Sequence, residues 1–402
     1  MSSASPSYVV LATKYRPGRF EDLRGQDVLV RTLQNAIRLD RIANAFIMTG
    51  IRGVGKTTTA RIIAKSLNCV GGEHSDKPAV SPCGACEQCV AVRDGRHPDV
   101  LEMDAASHTG VDDVREIIDM ARYAPSMGRY KIFIVDEVHM LSRSAFNALL
   151  KTLEEPPARV KFIFATTEIR KVPATILSRC QRFDLKRVET ESLARHLAAV
   201  CETEERRIEP SALALIARAA EGSVRDSLSL LDQILAMQEG VPTAEDVRRM
   251  LGMAESGRVV ALFSALCEGD VRTTLALVRR AVSDGQDPMQ IVKEAQQACH
   301  HAGLFTVAGK DAETDTFYDE VSRGALEEAS KKCGAAFLMR MWSLLIKCAE
   351  EFSYSYNAQA TLEMGMVRLC YASSLPTPEA ALRALAKHER ALPPAAPDKK
   401  KT

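Results

Sequence analysis

The sequence predicts an α/β domain with a parallel sheet in three layers, followed by an all-α region. Up to about residue 187, short apolar runs alternate with amphipathic helical patterns, which is typical of a parallel sheet covered by helices. After residue 188 the strand-like runs end, and helical periodicity continues to about Ser374. A glycine-rich loop, Gly50–Thr57, lies between the first buried apolar run and the helix that follows it.

The totals are those of a globular protein with a sizeable core. The chain has 402 residues, of which 46% are hydrophobic and 26% are charged, so two or three domains are expected. A net charge of +1 gives no global positive field, and any DNA contact must come from a local patch or an assembly. The apolar stretch near the N-terminus breaks at Lys14, and no run approaches the ~18 residues of a membrane span. A cytoplasmic protein without membrane contact is therefore expected.

The first 41 residues are expected to lead up to the sheet. Residues 1–14 are interpreted as an arm, and Tyr15-Arg16-Pro17, taken alone, as a surface turn. An amphipathic helix is predicted from about Asp27 to Arg41, because its apolar side chains fall on one face.

The loop Gly50–Thr57 fits the phosphate-binding pattern G-x-x-x-x-G-K-[ST] in the strand–loop–helix context that this pattern requires. Free N–H groups and the helix dipole converge at such a turn and make an anion site. Lys56 is expected to reach the β- and γ-phosphates, and the Thr57 hydroxyl to bind Mg²⁺. The alternative is a glycine-rich turn with a chance lysine. The residues predicted to line the phosphates are Gly50, Gly53, Val54, Gly55, Lys56, Thr57 and Thr58.

Four of the eleven cysteines lie close together, at Cys69, Cys83, Cys86 and Cys89. Two-residue spacers allow a tight turn to aim successive sulfur atoms at one ion, and four thiolates complete the closed tetrahedral site that structural zinc prefers. An iron–sulfur cluster or a redox pair is the alternative. The other seven cysteines are interpreted as small buried apolar side chains.

Residues 98–104 are predicted to form a strand and residues 111–123 a helix. Ser107 or Thr109 is expected to cap that helix. Alternatively, the free N–H groups at the helix start could bind a DNA phosphate.

A second chemical centre follows Lys131 and the apolar run Ile132–Val135, which is followed directly by Asp136 and Glu137. Neighbouring side chains on a strand point in opposite directions, so the two carboxylates are expected to have different tasks. One can hold Mg²⁺ while the other faces an attacking water, which is the division that nucleotide hydrolysis needs. A pair of solvated acids at a strand end is the alternative.

Later segments complete the expected α/β domain and then become helical. A helix is predicted from Ser142 to about Glu155, a strand over Val160–Thr167, a short helix ending near Arg179, and a last strand over Phe183–Leu185. Helices are then predicted at 190–206, 210–221 and 224–238, with Ser223 as a cap, and further helices to 374 with breaks near Gly252, Gly269, 285–288 and Gly309. The tail 375–402, rich in Ala, Pro and Lys, is expected to be disordered.

Four segments carry a resemblance to one family: Asp136–Ser142, Asn147–Pro157, Ser178–Cys180 and Gly222–Asp226. Together with the cysteine insert directly after the phosphate-loop helix, they resemble the gamma/tau subunits of the bacterial DNA polymerase III clamp loader, which are AAA+ ATPases. The resemblance covers about residues 8–375. It implies an AAA+ domain over 1–187 with a zinc module at 69–89, a helical lid over 188–240, and a helical collar for oligomerisation over 241–374.

The resemblance also implies roles that spacing could not give. Arg179 would be an arginine finger for the neighbouring subunit's nucleotide, Arg225 a second sensor, and Thr167, or else Thr166, the first sensor. Tyr15, Arg16 and Gln26 would belong to the adenine pocket, which replaces the surface-turn interpretation. Ser107, His108 and Thr109 match the family's DNA-contacting region, although the family often carries arginine where this chain has His108.

The expected function is that of an ATP-driven motor subunit that loads a sliding clamp onto primed DNA. The implied cofactors are ATP, Mg²⁺ and structural Zn²⁺. The implied partners are delta- and delta-prime-type subunits, further copies of the chain, the clamp and primed DNA, at replication forks in the cytoplasm. Glu137, Arg179 and Lys56 are the expected catalytic residues, and Thr57 and Asp136 the magnesium ligands. The alternatives are an AAA+ branch-migration motor or a non-catalytic scaffold of the same ring; no polymerase active site is visible.

Overall fold

A computed structural model describes residues 8–71, 77–237, 240–251, 256–308 and 320–374. The chain divides into two compact units, with the division between Ala244 and Glu245. The predicted disordered tail, 375–402, lies outside the described residues.

The N-terminal unit contains one five-stranded sheet. Its five short strands are β1 Ala45–Thr49, β2 Val100–Asp104, β3 Lys131–Asp136, β4 Val160–Thr166 and β5 Gln181–Asp184, and all but β5 are mostly apolar. Their order is β2-β3-β4-β1-β5, and every pair is parallel. Because all strands run the same way, their carboxyl ends meet at one edge, where Asp104 lies opposite Asp136 and Thr49 opposite Thr166. The polar residues that follow the strands are thereby collected at that edge.

Helices cover both faces of this sheet and give the three layers that the alternating pattern predicts. Helices α2 (Asp27–Arg38) and α3 (Lys56–Asn68) share one apolar core with Phe46 and Met48 of β1. The opposite core contains Ile47 with α5 (Val111–Ala121) and α6 (Arg143–Glu154). Alternate residues of a strand serve opposite cores, so a buried central strand is apolar throughout. The remaining helices of this region are α1 (Leu11–Lys14), α4 (Glu87–Arg93), α7 (Ala174–Leu177) and three 3₁₀ turns at Phe20–Asp22, Val138–Met140 and Ile169–Lys171.

Three helices complete the N-terminal unit: α8 (Thr190–Thr203), α9 (Pro210–Ala219) and α10 (Val224–Met237). The sharp turn before α10 depends on Gly222, which has a φ of +88° and lies so close to Arg187 that a Cβ would be 2.6 Å from the arginine Cβ. Ser223 caps α10 as predicted, since its hydroxyl accepts a hydrogen bond from the N–H of Asp226 at 3.2 Å. These contacts fix where α10 begins.

The C-terminal unit is entirely helical in its described part. Its helices are α11 (Ala244–Met250, which starts at the division), α12 (Ser256–Glu268), α13 (Val271–Ser283), α14 (Pro288–Ala308), α15 (Glu320–Cys333), α16 (Ala335–Glu351) and α17 (Ala358–Ser374). Helices α12 to α17 bury one continuous apolar core that includes Phe263, Leu326, Met341 and Leu369. The predicted breaks at Gly269 and at 285–288 are present, and a further break at Gly334, with a φ of +74°, was not predicted. Among the described helices, none has the length and apolarity to span a bilayer.

Asp99, just before β2, organises the loop that leads into β3. Its carboxylate is 2% exposed and accepts hydrogen bonds from the N–H groups of Ser126, Met127 and Gly128 at 2.7–2.8 Å, and from the Ser126 hydroxyl at 3.1 Å. Burial by itself would raise the pKa of Asp99, but these donors outweigh it and lower the pKa below its ordinary value. A charged, fully bonded carboxylate is therefore part of the fold.

Replacing Asp99 with Asn is expected to lower the free energy of unfolding of the N-terminal unit by about 1–3 kcal/mol at pH 7, because an amide NH₂ then faces backbone donors. The folded-state pKa lies below the unfolded value, so this stabilisation is complete above about pH 4 and is lost as the pH falls through the folded pKa. Urea unfolding followed by far-UV circular dichroism should show the gap between wild type and variant closing at low pH. Asp119, exposed and paired with Arg122, supplies the control substitution. A gap that is absent at pH 7 would contradict the prediction.

Candidate nucleotide site and cysteine cluster

The glycine-rich loop lies at the carboxyl edge of the sheet, between β1 and α3. Gly55 precedes α3 with a φ of +110°, in the left-handed region that favours glycine, and the first turn of α3 starts at Lys56. Lys56 is 6% exposed, and its Nζ donates to the carbonyl oxygens of Gly50 and Ile51 at 2.9 and 3.0 Å. Burial lowers the pKa of Lys56, while the carboxylates of Glu137 and Asp136 counteract this shift. The first-turn N–H groups of α3 and a buried ammonium thus converge on one point, which suits a phosphate.

This point opens into a cavity of about 630 Å³. The walls come from three sources: the N-terminal segment before α2, the glycine loop with the ends of β2 and β3, and helices α8 and α10. Of the residues predicted to bind nucleotide or metal, those that line the cavity are Tyr15, Arg16, Gly53, Val54, Gly55, Lys56, Thr57, Thr58, Asp136, Glu137 and Arg225. The structure therefore brings together residues that lie more than 200 positions apart.

Three of the residues predicted to bind the chain's own nucleotide do not line this cavity: Gly50, Gln26 and Thr167. Gln26 is 4% exposed and is hydrogen-bonded twice to the backbone of Lys186. Its side-chain amide donates to the Lys186 carbonyl oxygen at 2.8 Å and accepts from the Lys186 N–H at 3.1 Å. Gln26 thus fixes the strand-to-helix connection behind the cavity.

The adjacent carboxylates have different partners. Asp136 accepts a hydrogen bond from the Thr57 hydroxyl, so two hard oxygen ligands of the kind that Mg²⁺ prefers lie side by side. Glu137 accepts from the N–H and the hydroxyl of Thr167 at 3.1 and 2.9 Å. The two carboxylates are predicted to point apart because they are neighbours on one strand. Instead, β3 ends at Asp136, and Glu137 follows it in the left-handed region, with a φ of +45°.

His139 lies between Thr166, the last residue of β4, and the carboxylates of Glu137 and Glu168. Its Nδ1 lies 3.0 Å from the Thr166 hydroxyl and 3.3 Å from Oε2 of Glu137, and its Nε2 lies 3.5 Å from Glu168. Thr166 is fully buried, whereas Thr167 contacts Glu137 directly. Of the two residues weighed as first sensor, Thr167 is the one bonded to the carboxylate that borders the cavity.

Cationic side chains surround the rest of the cavity. Burial, and then the nearby guanidinium of Arg61, lower the pKa of Arg16, and the charge of Arg225 acts in the same direction. Arg61 is itself held by a bidentate pair with Glu102 at 2.7 and 2.8 Å. Repulsion among three guanidiniums would be relieved by an anion in the cavity.

The four clustered cysteines converge although Cys69 and Cys83 are fourteen residues apart in the chain. All four Sγ atoms lie within 4.8 Å of one another, and the Cys83–Cys89 and Cys86–Cys69 pairs are each 4.0 Å apart. Tetrahedral zinc with Zn–S bonds of about 2.3 Å needs sulfur–sulfur distances of about 3.8 Å, so the donor set fits zinc. Although burial opposes it, the N–H groups of Cys86 and Ala85 lower the pKa of Cys83 to about 6, which favours a thiolate.

Comparison with protein families accounts for most of the chain in three matches. Residues 25–189 match the model "DNA polymerase III, delta subunit", and residues 192–240 match "DNA polymerase III clamp loader subunit, ATPase lid domain". Residues 242–385 match "DNA polymerase III subunits gamma and tau domain III". The gamma subunit of DNA polymerase III from Buchnera aphidicola subsp. Baizongia pistaciae is 36% identical over 90% of this chain and 97% of its own length.

The chain belongs to the gamma/tau family of DNA polymerase III subunits.

Longer relatives extend beyond the matched region. The tau subunit of Escherichia coli is 38% identical over 93% of this chain, and the chain spans 57% of its length. The tau/gamma subunit of Haemophilus influenzae is 44% identical over 74% of this chain, which spans 43% of that relative. Among solved structures, the RuvB branch migration motor of Thermotoga maritima aligns with a TM-score of 0.45 and 15% identity over 63% of this chain and 80% of its own.

Arg179 of this gamma/tau chain does not line the cavity. Its guanidinium forms an ion pair with Glu154 and donates to the carbonyl oxygen of Thr175 at 2.7 Å and to the Ser178 hydroxyl at 3.1 Å. The side chain is 32% exposed, so it is held at the surface on the sheet face that carries α6 and α7.

The loop before α5 corrects one sequence prediction. Neither Ser107 nor Thr109 caps this helix; the N-cap is Gly110, and Asp113 accepts a hydrogen bond from its N–H at 3.1 Å. Ser107 instead donates to the carbonyl oxygen of Asp104 at 3.0 Å and contacts His108. All three residues of the Ser107–Thr109 segment are exposed. Asp113 therefore satisfies the backbone at the helix start in place of Ser107 or Thr109. It lies one turn into the helix, where its carboxylate also interacts favourably with the positive helix end.

Several residues of the cavity in this gamma/tau chain could not be predicted from the sequence, and His196 is the most informative of them. It lies on α8, and burial, followed by the charge of Arg24, lowers its pKa. A neutral imidazole therefore faces the same space as the phosphate loop. No local signal could have found it, because its position depends on how α8 packs against the sheet domain. The other missed lining residues include Arg24, Arg52, Asp104, Val224 and Leu228.

Replacing Cys86 with Ser is expected to reduce bound zinc from about one ion per chain to nearly none and to lower the melting temperature, because three thiolates hold the metal much less tightly. Metal content by mass spectrometry and thermal unfolding measure the two effects. Cys180→Ser is the matched control, since Cys180 lies outside the cluster. Wild-type protein purified without stoichiometric zinc, or with iron and inorganic sulfide instead, would contradict the prediction.

Proposed function

We propose that this chain is the ATP-hydrolysing motor subunit of a DNA polymerase III clamp loader, which loads a sliding clamp onto primed DNA. The observation that carries the proposal is the meeting of Lys56, Thr57, Asp136 and Glu137 at one cavity, in a chain of the gamma/tau family. These are the groups that phosphoryl transfer to water needs: a cation for the phosphates, ligands for the metal and a carboxylate for the water.

Each group has a role that its position supports. Lys56 exchanges its bonds to two loop carbonyls for contacts to the β- and γ-phosphates. Thr57 and Asp136 would hold Mg²⁺, which supplies charge neutralisation of the phosphates when bound. Glu137, held by Thr167, orients and deprotonates the attacking water. Because Thr167 donates two hydrogen bonds to one oxygen of Glu137, the other carboxylate oxygen remains for that water.

Recognition of the rest of the nucleotide is assigned to the N-terminal segment and α10. Tyr15 and Arg16 border the adenosine end of the cavity, and Gln26 acts behind it by fixing the connection at Lys186. Arg225 acts on the phosphates from the start of α10, as a second sensor. Burial and then the hydrogen bond to Glu204 raise the pKa of Tyr15 to about 12, so its phenol stays neutral.

Arg179 is proposed to act on the nucleotide of a neighbouring subunit. It lies outside the cavity of its own chain and is exposed enough to be transferred from Glu154 to a phosphate. Hydrolysis then depends on correct assembly, because one subunit's nucleotide is completed by another subunit's arginine.

The division of labour along the chain is part of the proposal. Residues 1–187 form the AAA+ nucleotide-binding domain, 188–240 its lid and 241–374 the collar through which subunits assemble. The four cysteines would hold structural zinc, which leaves no open coordination position for a substrate. The insert is tied to its domain, since Arg129 donates to the Cys69 carbonyl at 2.8 Å and Arg19 to the Cys83 carbonyl at 3.0 Å.

The proposed partners are delta- and delta-prime-type subunits, further copies of this chain, the sliding clamp and primed DNA, in the cytoplasm at replication forks. DNA would be contacted by the Ser107–Thr109 segment of several copies, which suits a chain whose own net charge is only +1.

The test is ATP hydrolysis by the chain reconstituted with its partner subunits. Addition of sliding clamp together with primed DNA is expected to stimulate hydrolysis, and neither component alone should suffice. Stimulation by four-way junction DNA without clamp would favour a branch-migration motor instead. Failure to bind ATP would favour a non-catalytic scaffold.

A further inference from the structure

Two half-buried thiols of the C-terminal unit lie in direct contact. Cys267 on α12 and Cys333 at the end of α15 are 66 positions apart in the chain, and their Sγ atoms are 2.9 Å apart. Neither thiol takes part in the proposed nucleotide or zinc site. The other cysteines of this unit, Cys299, Cys348 and Cys370, are almost fully buried.

The spacing distinguishes this pair from the cysteine cluster of the N-terminal unit. Sulfur pairs 4.0 Å apart, as in that cluster, leave room for a tetrahedral ion between them. A separation of 2.9 Å does not, but it needs to shorten by less than about 1 Å to reach the S–S bond length of about 2.05 Å.

Among the residues that the structure describes, no third ligand joins this pair to make a metal site. The thiol of Cys299 donates to the carbonyl oxygen of Leu338 at 3.4 Å and is thus engaged elsewhere. Within the described residues, the group with metal-ligand spacing is the one at Cys69–Cys89.

The two thiols have different acidities. The hydrogen bond between the two thiols lowers the pKa of Cys333 despite burial, and the N–H of Gly334 acts in the same direction. The same hydrogen bond, with burial, raises the pKa of Cys267. A lowered pKa favours the thiolate of Cys333, which is the reactive form of a cysteine.

We propose that Cys267 and Cys333 are an oxidative modification site, at which a peroxide converts the two thiols into an intramolecular disulfide. Cys333 gives up its proton, its thiolate attacks one oxygen of hydrogen peroxide, and the O–O bond breaks to give a sulfenic acid and hydroxide, which takes up that proton and leaves as water. Cys267 then attacks that sulfur, the S–O bond breaks, and a second water leaves with the Cys267 proton. Two thiols and one peroxide thus give one disulfide and two waters.

The bond would fasten α12 to the junction between α15 and α16. It closes a loop of 66 positions, which restricts the unfolded chain and so stabilises the C-terminal unit. Trp342 on α16 lies in the same unit and is the chain's single tryptophan, so its fluorescence follows the unfolding of this unit.

The full chain, fully reduced, is treated with hydrogen peroxide, blocked with N-ethylmaleimide and digested with trypsin without reduction. The expected product joins peptide 259–272 to peptide 333–340, each of which has one cysteine, and dithiothreitol should separate them. The midpoint of Trp342-detected thermal unfolding should rise by several degrees on oxidation and return on reduction. Cys299→Ser should still form the linked pair, whereas Cys267→Ser should lose both the link and the rise.

The peptide map of the oxidised wild-type chain tests for the Cys267–Cys333 disulfide without any variant. Recovery of both peptides alkylated would overturn the proposal, as would their recovery as separate sulfinic acids. A link from either cysteine to a different thiol would overturn it equally.

Discussion

Replacing Arg179 with Ala is expected to lower clamp- and DNA-stimulated ATP hydrolysis of the reconstituted assembly by about 10³–10⁵-fold, the usual contribution of an arginine finger. Nucleotide affinity should remain nearly unchanged, because Arg179 does not line the cavity of its own chain. Steady-state hydrolysis and equilibrium binding of a fluorescent ATP analogue measure the two quantities separately.

Two controls sharpen the Arg179 experiment. Arg182→Ala removes an arginine that has its own ion pair, with Asp184 at 2.7 Å, and should leave hydrolysis unchanged. Glu154→Gln removes the carboxylate charge that pairs with Arg179 within the same chain, and the rate of ATP hydrolysis should not fall. Undiminished turnover of the Arg179 variant in the complete assembly would refute the role in trans, and a parallel loss of ATP affinity would place Arg179 at its own nucleotide.

Replacing Glu137 with Gln is expected to lower hydrolysis by about 10²–10⁴-fold while ATP remains bound, because the amide keeps the shape of the side chain but cannot accept a proton. The Gln oxygen can still accept from the N–H and hydroxyl of Thr167, so the local structure should persist. Single-turnover hydrolysis and ATP binding in the reconstituted assembly test this.

Glu168→Gln is the matched control for Glu137. Glu168 also faces His139, with an oxygen 3.5 Å from its Nε2, but it does not line the cavity. Its variant should hydrolyse ATP at nearly the wild-type rate. If both variants lost activity to the same extent, the histidine environment, and not a carboxylate that activates water, would account for the effect.

Local patterns predicted what depends on local chemistry. The buried strands, the phosphate loop and the cap at Ser223 each follow from residues within a few positions of one another, so their residue types suffice. The convergence of Cys69 with Cys83 was also predictable, because two-residue spacers and a fourth thiol have few other joint uses.

The features that could not be predicted depend mostly on contacts between residues that are far apart in the sequence. Gln26 was placed with the adenine pocket, yet it bonds to Lys186, a partner 160 positions away that no spacing reveals. His196 lines the cavity only because α8 packs beside the N-terminal segment. Helix α4 was not predicted, since a seven-residue helix within a cysteine-rich insert gives too short a periodic pattern. The left-handed backbone at Glu137 was likewise invisible, because few non-glycine residues adopt it.

The contact between the phosphate loop and the start of α10 limits how this chain can diverge. A Cβ on Gly53 would lie 2.1 Å from the Ser223 hydroxyl, and the Gly53 carbonyl accepts a hydrogen bond from the N–H of Arg225 at 3.2 Å. A smaller residue at position 223 would make room for a Cβ at position 53, but it would also remove the hydroxyl that caps α10. A change at one of these positions therefore cannot be compensated by a change at the other. Positions 53 and 223 should therefore stay fixed together in functional variants selected from random libraries.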